Sequence, residues 1–118
     1  MTASEVLTLV DAYRPNLITK SDKLTRLYAI EKEITDHMSL YGEKQTISTE
    51  FTDSTELRLP KECLDIYVYY IISTIDLANQ DIAMYNNSCT YFNTLLSEWK
   101  KKWRRENVPV TPSANKGV

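Results

Sequence analysis

The run Leu64-Asp65-Ile66-Tyr67-Val68-Tyr69-Tyr70-Ile71-Ile72-Ser73-Thr74-Ile75-Asp76-Leu77-Ala78, with Ile82 to Asn107 following the polar break Asn79-Gln80-Asp81, decides the fold. Leu64, Tyr67, Val68, Ile71, Ile72, Ile75 and Ala78 recur at steps that place them on one broad face of a helix. Pro60, just upstream, suits the first turn of that helix. Beyond the break, Ile82, Tyr85, Cys89, Phe92, Leu96, Trp99 and Trp103 continue the alternation, the seam of one helix packed along another. Two long helices joined at Asn79–Asp81 predict an antiparallel hairpin, with a continuous or kinked helix as the other arrangement the pattern allows.

Working outward, the N-terminal part holds two more helices. Val6, Leu9, Val10 and Tyr13 form a stripe, and Thr2 with Glu5 has capping-box spacing. Arg14-Pro15-Asn16 should end that helix, because proline disfavours α geometry in the residue before it. The next helix begins after Thr19 or Ser21, with Asp22 in its first turn, and aligns Leu24, Leu27, Tyr28, Ile34, Met38 and Tyr41. Gly42 supplies its stop. Residues 43–60 change character: Thr46 to Phe51 is β-branched and roughly alternating, Asp53-Ser54 is turn-like, and Glu56 to Leu59 alternates again. They read as an extended arm or small hairpin, which needs either the helices or a neighbouring subunit to pack on. Residues 108–118 hold two prolines and no periodicity, the pattern of a flexible C-terminal tail. The sequence therefore predicts an all-α chain: a small helical bundle over 1–107 with a long C-terminal helical hairpin, and an extended tail over 108–118.

Composition limits what such a chain does. Its 118 residues are 42% hydrophobic and 25% charged, one domain's worth. A globule this size buries roughly two-thirds of its unfolded surface, enough to fold without disulfides or metal. Two glycines argue against phosphate-cradling loops and dinucleotide fingerprints, which concentrate glycines in one turn. No apolar run approaches the roughly 20 residues of a membrane span, and Met1 to Glu5 lacks the basic start of a signal peptide. Cys63 and Cys89 lack metal-ligand spacing and read as buried thiols. His37, the lone histidine, reads as a surface residue, and Asp76 and Asp81 read as caps of the 79–81 turn. No nucleophile–base pair, carboxylate pair or metal cluster is apparent, so no enzyme, cofactor or metal is expected.

The net charge of −2 conceals an asymmetry. Residues 1–99 carry 8 Lys and Arg against 15 Asp and Glu, a formal −7, whereas residues 100–118 carry 6 against 1, a formal +5. Lys100, Lys101, Lys102, Arg104 and Arg105 close the last helix around Trp99 and Trp103. They complement the helix dipole, and they also suit an acidic protein surface or nucleic-acid phosphate. Tyr69 and Tyr70 cannot share one small core with Tyr67, so they are candidates for a subunit interface, where tyrosine is enriched. Asn86, Asn87 and Asn93 give the last helix a polar, uncharged face suited to the same use.

Several stretches together resemble a known family. Leu9-Val10-Asp11, Tyr13 to Asn16, Lys23-Leu24 and Leu27, then Leu59-Pro60, Leu64 to Tyr70, Ile75-Asp76, Asn79, Tyr85-Asn86-Asn87 and Phe92-Asn93 are similar, in order and spacing, to the head-to-tail connector (adaptor) proteins of tailed bacteriophages and prophages of Gram-positive bacteria. The resemblance runs nearly to Pro109, most specifically in the second half. Arg26 stands where that pattern has tryptophan, and Arg104 to Asn107 is more basic than the pattern. The resemblance implies a structural virion protein, made in the host cytoplasm and located at the neck. Its subunits would form a homo-oligomeric ring, commonly a dodecamer, beneath the portal protein. The ring would extend the channel for genomic DNA and dock a head-closure (stopper) or tail protein, with no catalysis. Under that reading Trp99 to Arg105, with Val108 and Pro109, are portal-docking candidates, and an acidic body lets DNA slide where a basic lumen would grip it. The alternative is a small helical DNA-binding or regulatory protein that uses the basic helix end as its reader.

Overall fold

The computed structural model describes residues 1–107. The fold is all-helical: α1 (Ala3–Tyr13), α2 (Lys20–Leu40), α3 (Leu64–Ala78) and α4 (Ile82–Asn107), with a 3-10 turn at Lys61–Cys63 leading into α3. The tail expected over 108–118 lies outside the described residues.

The helix starts follow from their caps. The Thr2 hydroxyl accepts from Glu5 N while Thr2 N donates to Glu5 Oε1 at 2.8 Å, a complete capping box. Thr19 caps α2 by accepting from Asp22 N at 3.1 Å. At the other end of α2, Tyr41 is the last cap residue, and Gly42 takes φ +154°, a conformation open to glycine.

α3 is the central element, and its apolar content explains why. Ile66, Tyr67, Val68, Ile71, Ile72 and Ile75 are buried, contacting α1, α2 and α4 on different sides. α2 runs antiparallel to it: Arg26 donates to Thr74 at 2.9 Å, and Tyr67 meets Glu31 further down. Arg26 thus ties α2 to α3 through a hydrogen bond. α4 returns antiparallel along α3 after the turn at 79–81, in which Gln80 takes φ +58°. The hairpin expected from the sequence is therefore the arrangement adopted.

Some expected positions move. Tyr13 is 54% exposed and Ile82 58% exposed, so neither belongs to the core. Ala3 and Leu7 take the place on α1, and Ser88, Phe92 and Leu96 form the buried line of α4. Ala78 is exposed at the end of α3. Cys63 and Cys89 are free thiols, and both are half-buried rather than fully enclosed.

Residues 43–60 form an extended arm, not a hairpin. Their only β pairing among the described residues is an isolated antiparallel bridge between Thr2 and Glu56. Thr55 N donates to Thr52 O at 3.1 Å, closing the Asp53-Ser54 turn. The helices provide the packing surface that the arm requires: Leu57 and Leu59 are buried, and the Phe51 ring sits edge-on to Tyr28 at 5.4 Å. Arg58 fastens the arm, with Nε donating to Thr35 Oγ1 at 2.9 Å, Nη1 to Gln45 and Nη2 to the Thr46 carbonyl.

Candidate functional site

Two carboxylates are buried inside the bundle, and each is satisfied. Glu31, 2% exposed, accepts from the Tyr67 hydroxyl at 2.5 Å and from Arg58 N at 2.8 Å. Burial first, and the Glu31 charge second, push the Tyr67 phenol far above its usual range. Asp76, 1% exposed, pairs with Arg14 through Nε at 2.8 Å and Nη2 at 3.2 Å and accepts from Ser88 Oγ at 2.8 Å. It ties α1, α3 and α4 together and is not the turn cap the sequence suggested. Asp81 does cap α4, accepting from Met84 N at 3.1 Å. Each of these carboxylates is engaged by its own partners.

The surface has two chemically distinct poles. At one, α1 ends, α3 hands over to α4, and the Arg14–Asp76–Ser88 cluster fixes the three ends beside one another. Here Tyr13, Leu17, Leu77, Ile82 and Met84 are all exposed large apolar side chains, Leu17 completely so. Leu17 sits in a loop without periodicity and Leu77 directly before the break, which is why helical patterning does not single them out. From Ile82 to Ser97 α4 carries no charged residue, and Asn86, Asn87 and Asn93 lie exposed along it.

At the opposite pole the last turns of α4 are basic, and Leu40 at the end of α2 is an exposed apolar side chain beside them. α4 ends beside the end of α2: His37 Nε2 lies 3.1 Å from the Lys100 carbonyl, and the His37 ring lies tilted against Trp99 at 5.4 Å and Tyr41 at 5.2 Å. His37 is therefore a half-buried strut between two helices, not a free surface group. Lys100 is engaged with Glu33 at 2.8 Å. Lys101, Lys102, Arg104 and Arg105 are exposed, and no ion pair involves them among the described residues. Trp99 and Trp103 are half-buried, their rings 6.0 Å apart. Of the portal-docking candidates, four cations thus project from the helix end and the two indoles lean on the bundle; Val108 and Pro109 lie outside the described residues.

Tyr69 and Tyr70 are both half-buried in the α3–α4 interface. Tyr69 meets Tyr91 edge-on at 4.6 Å, and Tyr70 tilts against Phe92 at 5.2 Å. Partial desolvation, with Asp65 next, raises the Tyr91 phenol above its ordinary value. Both α3 tyrosines remain partly exposed.

A cleft of about 440 Å³ opens between the arm, the start of α3 and the last turns of α4, lined by Leu59, Ile66, Leu95, Trp99 and Trp103 among others. The Trp103 Nε1 is buried and has no hydrogen-bond partner among the described residues. Among the described residues no helix is long and apolar enough to cross a membrane. No protein-family model, curated protein or solved structure matches the chain.

Proposed function

We propose that this chain is a structural subunit of a phage neck: a head-to-tail connector that assembles as a ring beneath a portal and bridges it to the next neck or tail protein. The observation that carries the reading is the pair of unlike poles. The folded body measures 57 × 33 × 20 Å, with exposed apolar side chains where α3 meets α4 and, where α4 ends, four exposed cations that form no ion pair among the described residues. A subunit stacked between two different partners needs two chemically different ends. The sequence resemblance in the α3–α4 hairpin supports the same role. The body is acidic, which leaves a channel through such a ring free of sites that grip phosphate.

In this arrangement Lys101, Lys102, Arg104 and Arg105 meet acidic side chains of the portal, with Trp99 and Trp103 as the apolar base of the contact. The uncharged α4 face, with Asn86, Asn87, Asn93 and the exposed parts of Tyr69 and Tyr70, provides lateral contact between copies, since interface centres are depleted in charge. The test is the mass of the purified protein alone and mixed with the portal of the same phage, by light scattering. Ring-sized co-assembly that is lost when the four exposed cations are reversed to glutamate supports the proposal. A chain that ignores the portal but binds duplex DNA, with affinity falling steeply as salt rises, would instead be the DNA-binding protein.

A further inference from the structure

We propose that the cleft between the arm, α3 and α4 receives the side chain of an arginine carried by the protein that docks on this pole. The inference deepens the connector reading, and rests on it for the identity of that protein as the portal.

The floor of the cleft is apolar and aromatic. Leu59, Ile66 and Leu95 lie there with the half-buried Trp99 and Trp103. A volume of about 440 Å³ admits one long side chain together with the groups on either side of it. An aromatic ring attracts a cation through its negative face, and the attraction grows as water is excluded.

The rim is acidic, and its acids are unpaired. Glu62 comes from the 3-10 turn, Asp65 from the first turn of α3, and Glu98 and Glu106 from α4; all four are exposed. Every ion pair among the described residues engages some other acid. Two cations share the lining. The Arg58 guanidinium is held by Thr35, Gln45 and Thr46, and Lys102, one helical turn from both Glu98 and Glu106, pairs with neither. Four carboxylates against two cations leave negative charge in excess at the mouth, and an entering cation relieves it.

Arginine suits this lining better than lysine does. Its guanidinium is planar and less strongly hydrated than an ammonium, so it lies against an indole and forks onto a carboxylate at the same time. Its aliphatic stem covers apolar floor while the head group reaches the rim.

The cleft adjoins the basic docking surface. Glu98, Lys102 and Glu106 form the row of α4 that borders the cleft, whereas Ser97, Lys101 and Arg104 form a row on the side of α2. The end of α4 therefore turns an acidic face one way and a basic face the other. A partner that brings acidic side chains to Lys101 and Arg104 and one arginine to the cleft is held in a single register, because the reversed placement sets like charges together. An arginine packed on tryptophan is also the kind of contact that carries most of the energy of an interface.

Both tryptophans of the chain line this cleft, so intrinsic fluorescence of the full chain reports its occupancy. The probe is the peptide acetyl-Ala-Leu-Arg-Leu-Ala-amide, which should change the emission saturably. Lysine in place of the peptide's arginine should weaken binding about tenfold, and glutamine should abolish the response. In the chain, Glu98→Gln with Asp65→Asn should weaken the arginine peptide by about tenfold or more, with helicity and melting temperature retained. The same double variant should co-sediment with the portal about tenfold less tightly than the parent.

A glutamine peptide that binds as tightly as the arginine peptide would overturn the proposal, as would a double variant that binds the arginine peptide like the parent. Agmatine binding as tightly as the peptide would overturn it in favour of a small free cation. Self-association of the parent that the double variant abolishes would do so in favour of a second copy. The peptide measurements need no portal. A chain that takes the arginine peptide yet ignores the portal contradicts the connector reading alone, and a double variant that joins the portal like the parent contradicts the arginine seat alone.

Discussion

The Tyr67 hydroxyl donates to Glu31 Oε1 across 2.5 Å and accepts from Leu59 N at 3.1 Å, so one phenol joins α3 to α2 and the arm to both. Tyr67 is the largest fully buried side chain, and its hydroxyl is spent in this junction. Removing the hydroxyl in Tyr67→Phe leaves a buried carboxylate oxygen and a backbone N–H short of a partner. A loss of about 2 kcal/mol is expected, measured by urea denaturation.

The same junction fixes an alkaline limit. In the unfolded chain Tyr67 titrates near 10.0, whereas burial and Glu31 hold the folded phenol well above that. The folded state therefore binds the proton more tightly, and stability falls as pH rises past 10. Melting temperature followed from pH 9 to 11 should decline more steeply for the parent than for Tyr67→Phe. Parallel curves would contradict the assignment.

Asp76 should be the most sensitive polar position. Asp76→Ala strands the Arg14 guanidinium, which is only partly exposed, and leaves Ser88 Oγ without its carboxylate partner. The expected cost is about 3 kcal/mol, against about 1 kcal/mol for Ser88→Ala. Additivity fails for residues in one network, so the double variant should cost less than the sum of the two.

These two carboxylates mark where sequence reading stops. The Thr2–Glu5 box, the Thr19 cap, the break at 79–81 and the faces of α1 to α4 are written in local spacing. They depend on neighbours three or four residues away. In that frame Glu31 gives no signal and Asp76 reads as a cap of the 79–81 turn, because their partners lie 36 and 62 residues distant. The arm was legible as extended, but its choice of surface depended on Arg58 reaching Thr35. Exposure at the apolar pole was equally hidden: Ile82 keeps the seam spacing yet lies beyond the reach of α3. The basic pole, a property of composition, was plain from the start.

An acid limit comes from α1 and α2. Partial burial works against the Asp11 charge, but hydrogen bonds from Lys23 at 2.7 Å and Asn16 at 3.0 Å hold its carboxyl below the usual 3.8. Its contribution is complete above that value and is lost as pH falls through the lower folded one. Asp11→Asn should remove this part of the acid dependence. Because Asp11 is half exposed, the cost at neutral pH is about 1 kcal/mol, read from chemical denaturation at pH 7 and pH 3.

The apolar pole allows a clean separation of folding from assembly. Leu17→Ser and Ile82→Ser replace side chains that bury little, so melting temperature should change by no more than about 2 °C. If this pole docks the next neck protein, the double variant should still join the portal and fail to recruit that protein, as judged by co-sedimentation.

The turn at Asn79–Asp81 is the shortest link between two long helices in the chain, and it brings together the largest interface in the fold. Loop closure over three residues is cheap, whereas the meeting of Arg14 with Asp76 must close a loop of 62. Folding should therefore begin in the α3–α4 hairpin, with α1 arriving last to neutralise an acid already enclosed on two sides. Native-state hydrogen exchange would then show the amides of Tyr67 to Ile75 opening only with the whole molecule, and those of α1 opening earlier. A late-arriving first helix makes the N-terminal segment the part of the fold that is remodelled at least cost to the rest.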